Sequence, residues 1–213
     1  MPKKKMLKLI FEPNIIYEGI LTTENNEGNP HMASMGFSFN DEYDIVVRPF
    51  KDTRSYNYLK NKGMGVINIV NDIELFFKAT YGTASKSDFF PSYKLKIPRL
   101  KESNFYIEGR VKKIDENEVR ASFILEPVYV YAKKTYERPF TRVEFAVIEA
   151  LIHSTRIKVF MEMKLYEEVD RLVSLIDHYD KLIRRIAPNS KYTRIMDEIN
   201  KIVDSNLKFK SDH

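Results

Sequence analysis

The sequence predicts a mostly β fold, a β-barrel with inserted helices, followed by a helical segment. Three observations favour this class. Runs of alternating apolar and polar residues, joined by short turns, fill much of the first 140 residues. Helical patterns interrupt these runs but do not follow each strand, which argues against a doubly wound parallel sheet. From residue 141 the apolar residues recur at threes and fours, which is typical of helices.

The change of pattern divides the chain into two parts. We predict a barrel domain at residues 1–140 and a helical segment at residues 141–213. The helical segment is expected to pack on the barrel, on the partner subunit of a dimer, or on both.

The strands of the barrel can be placed from their alternation. Three strands are expected at residues 14–23, 32–39 and 43–50, as an antiparallel meander joined by turns rich in Asn, Asp, Glu and Gly. A β-branched run predicts a buried strand at residues 65–70, and two long strands are expected at residues 104–114 and 118–131.

The helices are marked by their ends. Asp52 or Thr53 can cap a helix that runs to about residue 61, and Gly63 stands just beyond it, where a left-handed residue is favoured. A second short helix is expected at residues 72–81, and three longer helices after residue 141. Residues 82–98 show no clear period and are predicted to form a long loop, a candidate lid. The lysine-rich N-terminus is expected to be mobile.

Composition excludes several classes of function. Cysteine is absent, which removes disulfides, thiolate nucleophiles and cysteine-ligated clusters. The four histidines are far apart, so we predict no metal site. No apolar run approaches the roughly 20 residues of a membrane helix. The N-terminus has no secretory pattern, so we expect a cytoplasmic protein without a membrane partner.

The net charge of +5 raises the question of nucleic acid. Much of the excess lies at the two ends of the chain, and elsewhere lysines alternate with carboxylates, as on a solvated surface. No motif of a nucleic-acid-binding domain is present. We therefore expect nucleic acid not to be a partner.

Residues 31–59 form the candidate functional site. Small side chains at Ala33 and Ser34, with Met35 beside them, let a flat ring approach the strand backbone. Arg48 ends the next strand, where its guanidinium can pair with a phosphate. The following helix offers free N–H groups and the hydroxyl of Thr53. A flat ring that carries a phosphate suggests FMN.

Each of these residues also has an ordinary structural explanation. An arginine at a strand end is usually a solvated surface charge, and small strand residues often mark a bulge or close packing. Helix capping is a sufficient reason for Asp52 and Thr53. His31 is expected to be a turn residue rather than an acid or base.

The motifs HMASMGF and IVVRPFKDTRSYNYL, followed by KIPRLKESNFYIEGRV and FAVIEALIHSTRI, resemble an uncharacterised archaeal-type family of flavin-reductase-like proteins. The resemblance extends from about residue 15 to residue 157. It implies an FMN-binding split β-barrel that forms a homodimer with flavin sites near the subunit interface. On the matching positions it implies cofactor contacts from Ala33, Ser34, Met35, Arg48, Pro49, Phe50, Thr53 and Tyr56, with Arg156 as a further candidate.

The resemblance does not bring a known reaction with it, because related barrels differ in chemistry. Hydride transfer takes place on the flavin itself, so we name no catalytic residue. The first hypothesis is an FMN-dependent oxidoreductase, most simply a flavin reductase with a nicotinamide donor or another small-molecule electron partner. The alternatives are an FMN-carrying dimeric protein without turnover and a basic nucleic-acid-binding barrel.

Overall fold

The computed structural model describes residues 3–134 and 138–208. Its contacts divide the chain into two compact units, Met1–Phe140 and Thr141–His213. The strands are β1 Tyr17–Glu24, β2 Pro30–Phe39, β3 Ile45–Val47, β4 Met64–Ile69, β5 Phe89–Pro91, β6 Pro98–Leu100, β7 Phe105–Glu116 and β8 Ala121–Ala132. The helices are α1 Lys3–Ile10, α2 Arg54–Lys62, α3 Ile73–Tyr81, α4 Arg142–Glu162, α5 Tyr166–Ile186 and α6 Lys191–Lys208.

The first unit is built on a closed barrel of six strands in the order β1-β2-β3-β8-β7-β4, and β5 and β6 form a separate pair. All neighbouring strands in the barrel are antiparallel, and β1 closes the barrel against β4. The predicted barrel and its initial meander are therefore confirmed.

The interior of the barrel holds an aromatic cluster. Phe37 and Phe39 project from alternate positions of β2, and their rings lie 5.8 and 4.7 Å from that of Phe11. Phe105 at the start of β7 lies 5.7 Å from the same ring. All four side chains are at most 2% exposed, so this cluster ties β2 to the opposite side of the barrel.

Strand β2 is longer than the strand beside it. β3 pairs only with residues 37–39 of β2, whereas β1 pairs with residues 30–37. Residues 30–36 therefore have a ladder partner on one side only, within the part of the chain that the structure describes. This unpaired stretch is called the open edge of β2 below.

The two short helices predicted in the first unit are confirmed as α2 and α3. Thr53 caps α2, and Gly63 ends it in the left-handed conformation with φ of 65°. Asp72 caps α3 by accepting from the amides of Glu74 and Leu75. Helix α3 lays Ala79 into a core cluster with Met32 of β2.

Two predictions about irregular segments are wrong. Residues 82–98 are not a long loop, because they contain a short 3₁₀ turn and β5, and they end at β6. Their main anchor is the buried carboxylate of Glu108, a residue on a later strand. The N-terminus forms helix α1, with Leu7 fully buried and Lys4 paired to Asp44, where the sequence suggested a mobile end.

The second unit consists of α4, α5 and α6, which pack on one another. The apolar recurrence predicted after residue 141 is seen in α5, where Val169, Leu172, Ile176 and Ile183 are buried. Helix α4 is the first of the three predicted helices and runs from Arg142 to Glu162. No helix of the described ranges combines the length and the apolar character needed to cross a membrane.

Candidate functional site

The open edge of β2 offers backbone groups to a ligand. In an antiparallel strand the N–H and C=O groups point to alternate sides, so part of those in residues 30–36 face away from β1. Side chains alternate between faces as well, which places His31, Ala33 and Met35 on one face and Ser34 on the other.

Ser34 is engaged by α3. Its hydroxyl donates to the carbonyl oxygen of Phe76 at 2.9 Å and accepts from the Thr80 hydroxyl at 2.8 Å. These bonds hold α3 against β2. The structure therefore gives Ser34 a packing role on the face opposite Ala33 and Met35.

The segment after β3 brings a free cation to the end of the barrel. Pro49 is buried, and its carbonyl accepts from the Ala121 amide at 3.2 Å. Phe50 is 44% exposed, and the Arg120 guanidinium lies 3.9 Å from its ring centroid. Between Val47 and Pro49, the side chain of Arg48 is exposed and makes no hydrogen bond or ion pair with any described residue.

The start of α2 is fixed to the same segment. The Thr53 hydroxyl donates to the Phe50 carbonyl at 2.7 Å and accepts from the Tyr56 amide at 3.3 Å. Thr53 is thus occupied as the helix cap. Among the described residues, the amides of Arg54 and Ser55 have no backbone acceptor, so they remain available to an anion.

Tyr56 also has a structural role. Its hydroxyl donates to Glu116 at 2.9 Å and accepts from the Lys60 ammonium at 2.8 Å, while its ring meets Phe123 edge to face. The hydrogen bond from Lys60, followed by that from Tyr56, holds the pKa of the Glu116 carboxyl below its usual range. This network ties α2 to the end of β7.

His31 was expected to be a turn residue, but it lies in β2, and its contact with α2 was not predicted. Its Nε2 lies 3.1 Å from the Ser55 hydroxyl, and its ring is edge-on to Tyr58 at 5.7 Å. Burial, followed by the charge of Arg54, lowers the pKa of the imidazole. The sequence carries no signal for this contact, because it joins β2 to a helix that follows β3 in the chain.

The structure therefore brings together the open edge of β2, the segment after β3 and the start of α2. His31 links the open edge of β2 to the first turn of α2. Phe50, two residues after Arg48, supplies the carbonyl that binds the cap of α2. Arg156 lies exposed on α4 in the second unit, and its contribution stays a prediction. The described residues contain no group of three or more metal-ligating side chains.

The protonation of His31 should change when an anion binds at the start of α2. Without a ligand, burial and the charge of Arg54 favour the neutral ring of His31 in the folded chain. As pH falls, the unfolded chain therefore binds a proton at His31 before the folded chain does, and the free energy of unfolding decreases. A phosphate at the Arg54 and Ser55 amides should raise the pKa of His31 and bind more tightly as pH falls.

The measurement is an NMR titration of the histidine ring protons with and without FMN. The exposed His178 in the second unit serves as the internal control. An upward shift of the His31 midpoint alone is expected. A His31 midpoint that FMN leaves in place would put the phosphate elsewhere.

Comparison with solved structures identifies the class of fold. The chain is similar to the FMN-bound protein MM1853 from Methanosarcina mazei, with 22% identity, a TM-score of 0.56 and coverage of 92% of this chain and 99% of that one. It is also similar to the NADH:FAD oxidoreductase SgcE6 of Streptomyces globisporus C-1027, with 11% identity, a TM-score of 0.52 and coverage of 66% and 91%. The fold is that of the flavin-reductase-like split barrels.

Family models define the protein more closely. The N-terminal domain model of the DUF447 family, proteins of unknown function, matches residues 17–134, and a second DUF447 model matches residues 141–201. The chain belongs to the DUF447 family. This confirms the resemblance to an uncharacterised family with a flavin-reductase-like fold. No curated protein matches the chain.

Proposed function

We propose that this protein binds FMN along the open edge of β2 and acts as an FMN-dependent oxidoreductase with a small-molecule electron partner, most simply a nicotinamide donor. We place this activity in the cytoplasm, as the sequence predicts. The observation that carries the proposal is the exposed guanidinium of Arg48, which has no partner among the described residues. It lies beside the open edge of β2 and near the first amides of α2, which have no backbone acceptor in the described part of the chain.

The residues present fit FMN in chemical character. A dianionic phosphate requires cations and N–H donors, which Arg48, Arg54 and the first amides of α2 supply. The polar edge of a flavin requires backbone N–H and C=O groups, which the open edge of β2 supplies next to the small side chain of Ala33. The Met35 thioether shares that face and suits contact with an aromatic ring.

The comparisons support the cofactor and the type of reaction. MM1853, described as a DUF447 protein, is FMN-bound, and SgcE6 is an NADH:FAD oxidoreductase. Once bound, the flavin would supply the hydride chemistry. The residues of this chain would hold the phosphate, orient the ring and exclude water.

The experiment is reconstitution of the purified protein with FMN, followed by addition of NADH or NADPH without oxygen. Bound FMN that bleaches on addition of a donor supports the oxidoreductase. Bound FMN that no donor bleaches would replace it with a flavin carrier without turnover. A protein that does not retain FMN would contradict the whole proposal.

We also propose that the protein is a homodimer in which α4 pairs with α4 of a second copy. Phe145, Ile148, Ile152 and Val159 recur at spacings of three, four and seven along one face of α4 and are 61, 51, 39 and 49% exposed. An apolar stripe of this kind in a folded protein usually marks an association surface.

The charges beside this stripe suit a second copy in antiparallel orientation. Glu149 lies in the first half of α4, and Arg156 lies on the same edge of the stripe in the second half. In a two-fold pair centred near Ile152, Phe145 meets Val159, and Glu149 meets Arg156 of the partner subunit. The surface is therefore complementary to itself, as a two-fold interface requires.

Ile148→Glu is expected to convert the dimer to a monomer, because two carboxylates would be buried in the apolar seam. The matched control is Leu9→Glu on α1, where leucine is 74% exposed. Light scattering measures the mass against the 25.2 kDa of one chain. A monomeric unsubstituted protein, or a dimer that survives Ile148→Glu, would contradict this interface.

A further inference from the structure

A second surface lies on one face of the β7–β8 pair, where four tyrosine rings follow one another. The ring of Tyr93 lies 4.7 Å from Tyr129, Tyr129 lies 6.1 Å from Tyr106, and Tyr106 stacks on Tyr131 at 5.2 Å. Tyr106 is buried, whereas Tyr93 is 61% and Tyr131 is 39% exposed. The row thus has a fixed middle and two accessible ends.

Cations lie over these rings. Lys96 Nζ is 5.8 Å from the centroid of Tyr93, and the Arg99 guanidinium is 4.9 Å from Tyr106 and 5.3 Å from Phe90. Lys101 Nζ is 4.7 Å from the ring of Phe90, which is 47% exposed. We define the tyrosine surface as these side chains together: Phe90, Tyr93, Lys96, Arg99, Lys101, Tyr106, Tyr129 and Tyr131.

The surface has a marked local charge. Residues 89–101 contain four Lys and Arg residues and no carboxylate, and the carboxylates of Asp88 and Glu102 border this segment. Burial raises the pKa of the Tyr106 and Tyr129 phenols, so the rings stay neutral and add no negative charge. A ligand with both flat rings and negative charge is complementary to this combination.

A buried carboxylate fixes the segment in place. Glu108 on β7 is fully buried and accepts from the Ser92 hydroxyl at 3.0 Å, the Lys94 amide at 3.0 Å and the Leu95 amide at 2.6 Å. These bonds anchor the turn that carries Tyr93 and Lys96. Glu108 lies on the same face of β7 as Tyr106, but in the described part of the chain it forms no ion pair with Lys96, Arg99 or Lys101.

Lys96 stands at a position where the backbone would accept glycine more readily. Its φ is 60°, in the left-handed region that L side chains rarely adopt. The side chain forms no ion pair with any residue that the structure describes. The Lys96 ammonium therefore has no carboxylate partner among the described residues and can pair with an anionic ligand.

We propose that the tyrosine surface binds single-stranded nucleic acid, with bases stacked on the exposed rings of Phe90, Tyr93 and Tyr131 and phosphates paired with Lys96, Arg99 and Lys101. Stacking on aromatic side chains beside cations is the usual way in which single strands are bound. A duplex is a poorer ligand, because its bases are already stacked on one another.

This site is separate from the proposed FMN site. β8 pairs with β3 through Phe123 and its neighbours up to Leu125. Arg120, which contacts Phe50, lies before this pairing, whereas Tyr129 and Tyr131 lie after it. The two sites are therefore at opposite ends of β8, and neither proposal depends on the other.

The inference reverses the expectation drawn from the sequence that nucleic acid is not a partner. That expectation depended on missing motifs and on charge at the chain ends. The rings and cations here come from the β5–β6 segment, β7 and β8, so no single stretch of sequence shows them together.

The test is fluorescence anisotropy with the full chain and a fluorescein-labelled oligouridylate of about 16 nucleotides, the upper site size of one barrel of the OB type. Tyr93→Ala should weaken binding by about 10-fold at unchanged charge, on the scale of one lost stacking contact. Lys96→Gly should weaken binding several-fold and reduce its salt dependence. A duplex of the same length should bind at least about 10-fold more weakly.

The chain offers matched controls for both substitutions. Lys164 also has a φ of 60°, is exposed and is not one of the residues of the tyrosine surface, so Lys164→Gly makes the same charge and backbone change at another lysine. Tyr81→Ala removes a ring that is 79% exposed on α3. Thermal unfolding verifies that all four variants fold, and both controls should bind within about two-fold of the unsubstituted protein.

Three results would overturn the proposal. The first is no binding at about 50 mM salt, where electrostatic affinity is high. The second is equal losses from Lys96→Gly and Lys164→Gly, or no loss from Tyr93→Ala, because either would indicate general attraction to a basic protein. The third is duplex binding as strong as single-strand binding.

Discussion

Replacing Arg48 by alanine is expected to weaken FMN binding by about 10- to 100-fold. Arg48 is exposed and has no side-chain partner within residues 3–134 and 138–208, so its removal costs the fold little. The lost interaction is a charge-assisted hydrogen bond to phosphate, which contributes about 1.5–3 kcal/mol. By the relation between free energy and affinity this range is about 10- to 100-fold. Quenching of flavin fluorescence on titration measures the dissociation constant.

Arg110→Ala is the matched control for this prediction. Arg110 is an exposed arginine on β7, outside the site, and its replacement should change FMN affinity by less than about two-fold, since distant surface charges are screened by salt. If Arg48→Ala bound FMN as tightly as Arg110→Ala does, the phosphate would not lie at the end of β3.

Replacing Phe37 by alanine is expected to lower the free energy of unfolding by about 3–5 kcal/mol, the usual cost of truncating a buried phenylalanine. Phe37 is 1% exposed and contacts the rings of Phe11, Tyr17 and Phe39 inside the barrel. The cavity would lie in β2, the strand that carries the open edge. Urea denaturation followed by circular dichroism measures the change.

The control for Phe37 is the same substitution at an exposed phenylalanine. Phe77 on α3 is 67% exposed, and Phe77→Ala should change the free energy of unfolding by about 0.5 kcal/mol or less. Losses of similar size from the two variants would mean that β2 does not form the centre of the barrel core.

The regular elements were predictable because their signals are local. Alternation along β1, β2, β7 and β8, the cap at Thr53 and the left-handed Gly63 all depend on residues close in sequence. The β5–β6 pair was not predictable, since Glu108 holds its turn from a strand that follows later. Helix α1 was missed because its stability comes from burial of Leu7 rather than from its lysine-rich sequence.

Sequence reasoning located a candidate site but could not assign the role of each side chain. The Arg-Pro-Phe segment and the small residues of β2 do lie at one end of the barrel. However, Ser34, Thr53 and Tyr56 use their hydroxyls to bind α3, Phe50 and Glu116. The tertiary partners of a polar side chain decide whether its hydrogen-bonding groups are free for a ligand. His31 could be recognised as part of the site only from its contact with Ser55.

The central claim is that Arg48 and the start of α2 hold the phosphate of a flavin lying along β2. The most direct measurement compares the affinities for FMN and for riboflavin, which lacks the phosphate, in the unsubstituted protein and in Arg48→Ala. The account predicts that FMN binds at least about 10-fold more tightly than riboflavin and that Arg48→Ala removes most of this difference. Equal affinities for the two flavins in the unsubstituted protein, or binding of neither, would contradict it.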